Sequence, residues 1–295
     1  MSLANLIEPV NLDQAHIDVQ LSRSDVSIPA DIQSRVDSAF EKHSDKAEAE
    51  SGKRPTKGEV GVIRSYGVLE NGVQGVAGVA TFDQVLYFAR SQIPQGDYDF
   101  GKQLGFPLAS WAIPLSSDGQ LIFVRKRGAE GAYEGNPYSG FGSLVSVGKD
   151  FRDDSLNMPV FLQRSVGGEV GEEAWKMFAE ANLLGLNDHD ENSNRVNNGY
   201  DLALEVRFDA PAQRFIDGLS DNPQFTSKKE AIFVPVDPNT LRTFAESHKL
   251  SHSGIVGLFS YIGSRYGIDE ARSQLKAYQD SGGRPIPGSI DFRKF

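Results

Sequence analysis

Four glutamates stand close together in residues 167–186, GGEVGEEAWKMFAEANLLGL. They are Glu169, Glu172, Glu173 and Glu180. In a helix, which turns about 100° per residue, all four project within about 60° of one direction. Clustered carboxylate oxygens are the ligands that Mg²⁺ prefers, and Mg²⁺-polarised oxygens favour attack of water on a diphosphate. If the whole segment is helical, this acidic face is a candidate Mg²⁺ site.

The same pattern also fits an ordinary surface helix. The opposite side of the helix is apolar, with Ala174, Trp175, Met177, Phe178 and Ala181. Negative charge in a first helical turn is favourable by itself, because it complements the helix dipole. A solvated acidic face and a metal site are thus two open interpretations of these glutamates.

Residues 167–186 also resemble the Nudix box, the strand–loop–helix element that binds Mg²⁺ on glutamates in diphosphate hydrolases. The paired glycines, the Gly-Glu-Glu-Ala run and the closing Leu-Leu-Gly-Leu carry the resemblance. Where the family has Arg-Glu and then Glu-Glu, this chain has residues 177–183, MFAEANL, with one glutamate. The resemblance implies that the catalytic and metal-binding residues are Glu172, Glu173 and Glu180.

Three cations end a predicted strand upstream of the glutamates. Alternation sends Arg125 and Arg127 to one side of this strand and Lys126 to the other. Arginine is suited to bidentate phosphate contacts, and the loop that follows supplies aromatic rings that can stack on a flat ligand. The resemblance implies a set of substrate-binding residues, which are Arg125, Arg127, Tyr133, Tyr138 and Phe141.

Two functions follow from the resemblance. The first is a Mg²⁺-dependent hydrolase of nucleoside diphosphate-linked compounds. The second is a catalytically inactive Nudix-fold protein that binds a ligand or serves as a scaffold without hydrolase activity. The missing Arg-Glu and Glu-Glu pairs favour the second function, and the common activity of the family favours the first.

Hydrophobic periodicity predicts the elements that position these residues. Hairpins are expected at 59–81 and at 108–127, because turn residues separate two apolar runs in each. Further strands are predicted at 143–147, 159–166, 200–208 and 231–236. Helices are predicted at 32–40, 82–93, 167–186, 238–248, 255–266 and 268–278. The order predicts an α+β fold, and the resemblance implies a Nudix-like mixed sheet in an α/β/α sandwich.

Three parts of the chain are predicted. Residues 1–104 form an N-terminal α+β extension with a mobile linker at 42–58, where the sequence is charged and has almost no large apolar residue. Residues 105–248 form the Nudix-like domain, and residues 249–295 form a C-terminal helical segment. The Val/Gly hairpin offers a strand edge, which favours a homo-oligomer.

Composition limits the classes of function. The 295-residue chain has a formal net charge of −10, which argues against broad nucleic-acid binding but allows a small phosphate-containing ligand in a local basic pocket. It has no cysteine, which excludes disulfides, zinc–thiolate sites and cysteine nucleophiles. It has no apolar run near the ~20 residues that span a bilayer and no basic, apolar leader, so the expected location is cytoplasmic.

Overall fold

Strands from both ends of the chain join into one mixed sheet in the computed structural model. The structure describes residues 2–23, 26–51, 54–88, 93–127, 137–189, 199–221, 227, 230–282 and 290–295. The strands within these ranges are β1 (Ser2–Asn11), β2 (His16–Leu21), β3 (Glu59–Leu69), β4 (Gly72–Thr81), β5 (Phe106–Leu115), β6 (Gln120–Arg125), β7 (Tyr138–Ser139), β8 (Phe151–Arg152), β9 (Ser155–Leu156), β10 (Phe178–His189), β11 (Gly199–Phe208), β12 (Ile232–Pro235) and β13 (Ile290–Lys294).

Helices lie between these strands and at the carboxyl end of the chain. They are α1 (Ala30–Ser51), α2 (Phe82–Phe88), α3 (Gln95–Leu104), α4 (Val147–Asp150), α5 (Met158–Leu162), α6 (Gly168–Val170), α7 (Glu172–Trp175), α8 (Ala212–Gly218), α9 (Pro238–Ser247), α10 (His252–Tyr266) and α11 (Ile268–Asp280). A π-helical turn, Gln163–Gly167, connects α5 to α6. The fold is α+β, as predicted.

The main sheet has the order β13-β1-β10-β11-β5-β3-β4-β2-β9-β8. Strand β11 is antiparallel to β10 and parallel to β5, so the sheet is mixed. Strand β6 pairs with β5, β7 and β12 beside this path. The sheet crosses both predicted domain boundaries, since β1 lies between β13 and β10 and β3 pairs with β5.

Alternating residues of the sheet face two different cores. Leu184 and Ala203 pack in one core with Val256 and Phe259 of α10, together with α9 and α11. The neighbouring positions of β10 and β11 pack in the other core with residues of α5 to α8, such as Phe161. Helices therefore cover both faces of the central strands. A third core joins α1, α2 and α3 to β3 and β4.

The predicted linker at 42–58 is wrong over its first ten residues. Helix α1 continues to Ser51, and the side chain of Ser44 is fully buried on it. This stretch is rich in Lys, Glu and Ala, which are strong helix formers. Arg54 forms ion pairs with Glu41, Asp45 and Glu48, so the charge of this segment supports the helix instead of an extended linker.

Two predicted strands are also wrong. Residues 143–147 make only isolated bridges before α4. Residues 159–166 are helical, because Pro159 lies in the first turn of α5 and the Asn157 side chain accepts the Val160 N–H at 3.1 Å as a cap. The hairpin at 59–81 is confirmed, but β2 and β5 cover its outer edges. These strands cover the hairpin edge that favoured a homo-oligomer, so the homo-oligomer stays a prediction.

Within the described ranges, no helix combines the length and the hydrophobicity that are needed to cross a membrane.

Asp97 connects α3 to α1 and contributes to the stability of the fold in a way that depends on pH. Arg35 donates to its two carboxylate oxygens at 2.6 and 2.7 Å, and Tyr87 donates at 2.5 Å. The Arg35 hydrogen bonds hold the pKa of Asp97 below its ordinary value. A lowered folded-state pKa contributes stability above the unfolded pKa, and this contribution is lost as the pH falls through the folded value.

We expect Asp97→Asn to lower the free energy of unfolding by about 2 kcal/mol at pH 7, the value typical of hydrogen bonds to a charged group. The difference from wild type narrows as the pH falls below about 4. Thermal unfolding between pH 7 and pH 3 measures this. Asp99→Asn is the control, since Asp99 is exposed and pairs with Gln95. A pH-independent difference would contradict the assignment.

Candidate functional site

Glu172 and Glu173 lie on a short, exposed helix. Helix α7 has four residues and follows Gly171, whose φ of +89° breaks the chain away from α6. The two side chains are 84% and 73% exposed, and both bind the ammonium of Lys176, at 3.2 and 2.7 Å. They are therefore a solvated pair in a first helical turn.

Glu180 lies on a strand, so the helix predicted at 167–186 is wrong from Phe178 onward. Its carboxylate accepts from Arg207 at 2.8 Å and from the Asn11 amide at 3.2 Å. The Arg207 hydrogen bond lowers the pKa of Glu180. Glu180 thus has a different cationic partner from Glu172 and Glu173, and the predicted common face of glutamates is not formed.

Glu169 is the one member of the predicted acidic face that is buried. Its carboxylate lies 2.5 Å from the Lys126 ammonium, and the two side chains are 7% and 2% exposed. The Gly142 N–H donates to the same oxygen at 3.2 Å. Burial raises the pKa of Glu169, while Lys126 and Gly142 act in the opposite direction.

Gly142 makes this approach because of its backbone. Its φ is +143°, and an added Cβ would lie 2.1 Å from the Ser110 carbonyl oxygen. Only glycine fits such a close approach. Lys126 also lies over the Phe141 ring, 5.5 Å from its centroid. A backbone donor therefore contacts Glu169, and an aromatic ring contacts Lys126.

Another fully buried carboxylate lies in the segment before α5. Asp150, which is fully buried, accepts from Arg164 at 2.7 and 2.6 Å and from the Ser146 N–H at 2.6 Å. Arg164 also donates to Ser143 Oγ and to the Leu144 carbonyl. The guanidinium therefore fixes the segment between Ser143 and Asp150 against the helical layer.

Arg125 and Tyr138 are brought together, as neighbours in the β6–β7 register. Arg125 bonds Glu230 at 3.1 Å, and both side chains are 39% exposed. The Tyr138 ring packs edge-on against His248, at 5.5 Å between centroids. Burial raises the pKa of Tyr138, and the Arg125 charge opposes this. We call Arg125, Tyr138, Glu230 and His248 the arginine–tyrosine face.

The remaining predicted substrate-binding residues lie elsewhere. Arg127 is exposed just beyond the end of β6. Phe141 is 1% exposed and packs edge-on against Phe215, so its ring belongs to the core and is not available to stack on a ligand. Tyr133 lies outside the described residues.

The sequence did not reveal two buried ion pairs, which are Lys126–Glu169 and Arg164–Asp150. One signal for Lys126 was present, because alternation places it on the inward side of β6, opposite Arg125. Its pairing with Glu169 had no such signal, because helical spacing predicts that Glu169 faces solvent. Pairing across 43 residues depends on how the helical layer packs on β6.

The glutamates predicted to hold Mg²⁺ do not fit one shared site. Glu172 and Glu173 pair with Lys176, and Glu180 pairs with Arg207. Across the part of the chain that the structure describes, no cluster of three or more His, Asp or Glu side chains is placed to hold a metal ion.

Comparisons with known proteins identify no family. No family model matches the chain, and no curated protein matches it. Among solved structures, the chain is similar to the protein DR0079 from Deinococcus radiodurans, with 16% identity, a TM-score of 0.35, and coverage of 50% of this chain and 78% of that one.

Proposed function

We propose that this chain is a Nudix-like protein that binds a small phosphate-containing ligand without hydrolysing it. The buried Lys126–Glu169 ion pair is the observation that carries the proposal. A hydrolytic metal site needs carboxylates that can turn their oxygens to a divalent cation. In this chain the buried carboxylate already has a cation of the protein as its partner.

A metal ion that bound Glu169 would have to displace the Lys126 ammonium, and this displacement is energetically unfavourable. The Lys126 ammonium would lose its 2.5 Å bond to Glu169 while staying in a site where its side chain is 2% exposed. A buried charge without its partner costs several kcal/mol. Lysine is also a fixed monovalent charge, which cannot generate hydroxide from bound water as a divalent metal does. This pair therefore favours binding over hydrolysis.

The arginine–tyrosine face is the proposed binding surface. Arg125 offers a partly exposed guanidinium, which is suited to bidentate contacts with phosphate. Its partner Glu230 is equally exposed, so a phosphate group can compete with this carboxylate for Arg125. The Tyr138 ring is held edge-on by His248 and Phe244, which positions a half-buried aromatic surface beside the cation.

A hydrolysis assay tests the catalytic part of the proposal. We expect no phosphate release above the buffer rate from a panel of nucleoside diphosphate derivatives in Mg²⁺ or Mn²⁺, and no stabilisation of the protein by either cation in thermal shift. Release that disappears in the Glu172→Gln plus Glu180→Gln variant would instead establish the hydrolase.

A binding measurement tests the surface. We expect ADP or UDP to bind the wild-type protein, and Arg125→Ala to weaken binding about tenfold or more, the equivalent of one charge-assisted hydrogen bond. Calorimetry on both proteins measures this. Arg23→Ala is the matched control, because Arg23 also forms one exposed ion pair, with Asp154. Equal losses in the two variants, or no binding by wild type, would contradict the proposal.

A further inference from the structure

Two histidines lie together at a junction of three elements. His189 is the last residue of β10 and is 5% exposed, and His252 is the first residue of α10 and is partly buried. Their ring centroids are 5.2 Å apart, and the ring planes make an angle of 63°. Strand β1 completes the junction through Ser2, which is fully buried.

Each ring is held by one of its two nitrogens. His189 Nε2 lies 2.6 Å from a carboxylate oxygen of Asp201, and His252 Nε2 lies 3.2 Å from Ser2 Oγ. The Nδ1 atoms of both rings are buried and have no hydrogen-bond partner in the described structure. Buried polar atoms are nearly always satisfied, so two such atoms on neighbouring rings require an explanation.

A third buried polar atom belongs to the same strand. Asn187 Nδ2 is buried without a partner, while its Oδ1 accepts from Ser260 of α10 at 2.8 Å. Asn187 and His189 are two residues apart in β10, so they share the face that packs on α10. Within the described residues, the interface between β10 and α10 thus holds three nitrogens without a hydrogen-bond partner.

We propose that His189 and His252 form a binding site for a divalent transition-metal cation of the Zn²⁺ type, with their Nδ1 atoms as the two protein ligands. Imidazole nitrogens are preferred ligands of such cations, with Zn–N distances near 2.0–2.1 Å in tetrahedral geometry. Two imidazoles on one tetrahedral ion place their ring centroids roughly 5 Å apart. The observed ring separation of 5.2 Å matches that arrangement.

The surroundings prepare both rings for this role. A histidine that binds a metal usually donates its other ring N–H to a carboxylate, which fixes its tautomer, and Asp201 stands in this position for His189. His252 Nε2 likewise lies against Ser2 Oγ, which leaves the Nδ1 atoms of both rings for a cation. Asp201 is thus a positioning residue.

Two protein ligands leave room for water in the coordination shell. The residue His252 is partly exposed, whereas its Nδ1 atom is buried. Neither histidine belongs to the predicted substrate-binding set or to the arginine–tyrosine face. The site is therefore independent of the proposed function, and failure of one leaves the other standing.

Metal titration of the full chain tests the site. We expect Zn²⁺ to bind the metal-free protein with one equivalent, and Co²⁺ to give the visible absorption of a low-symmetry site with nitrogen ligands. His252→Gln and His189→Gln are each expected to weaken Zn²⁺ binding at least tenfold, and Asp201→Asn by about tenfold or more. His16→Gln is the control, since His16 is exposed on β2, and it should leave the affinity unchanged.

Two results overturn the proposal. One is the absence of saturable binding of Zn²⁺ and Co²⁺ below about 1 mM, which would leave the Nδ1 atoms to water. The other is binding that His252→Gln does not weaken. His252 is less buried than His189, so its variant keeps the test decisive if His189→Gln does not fold.

Discussion

Glu169→Ala is expected to lower the free energy of unfolding by about 3–5 kcal/mol, because it leaves the Lys126 ammonium buried without its partner. Both side chains of this pair are almost fully buried, at 2% and 7% exposure. The loss is thus the cost of an uncompensated charge, which far exceeds the worth of a surface ion pair. Urea unfolding at pH 7 measures it.

Two further variants isolate the cause. Glu173→Ala removes a carboxylate that is 73% exposed and bound to Lys176, so its effect should stay within about 0.5 kcal/mol. The double variant Lys126→Met plus Glu169→Met removes both charges and should recover most of the stability, since apolar replacements of buried pairs are often neutral or stabilising. A Glu169→Ala protein as stable as wild type would remove the basis of the proposed non-hydrolytic function.

Arg164→Ala is expected to cost about 3 kcal/mol or more. Arg164 holds both oxygens of Asp150, whose side chain is fully buried, and it also donates to Ser143 and Leu144. Without the guanidinium, the carboxylate keeps the Ser146 N–H but loses its counter-charge. Thermal or urea unfolding measures the loss, and hydrogen exchange of residues 143–150 should show faster opening of this segment.

Arg164→Lys separates charge from geometry. Lysine restores a positive charge but lacks the planar fork that binds two carboxylate oxygens at once. We expect it to recover only part of the stability that Arg164→Ala loses. Full recovery would show that charge alone holds Asp150, and no loss in either variant would contradict the role assigned to Arg164.

Strands with one clear period were predictable from the sequence. The hairpin at 59–81 and the strand at 200–208 appear as β3, β4 and β11, with bounds within two residues. Helices α9, α10 and α11 were predicted as well, and the Asp237 side chain caps α9 by accepting the Thr240 N–H. These features depend on local residues, so local patterns reveal them.

Strand β10 was hidden for a physical reason. Seven consecutive residues, 181–187 in the sequence ANLLGLN, are buried because helices cover both faces of the sheet there. A strand buried on both faces has no period of two, and a short apolar run of this kind also fits a helix. The prediction of one helix through residues 167–186 is therefore wrong for Glu180, which lies on this strand.

The sequence alone determined which residues carry charge. Through strand alternation it also determined that Lys126 and Arg125 face opposite sides of β6. Only the tertiary structure decided which charges meet. Glu169 follows Lys126 by 43 residues, and His252 follows His189 by 63. Contacts over such separations form only when whole layers pack on the sheet, and no local propensity specifies them. The packing of helices on the sheet therefore decides that Glu169 meets Lys126 and that His252 meets His189.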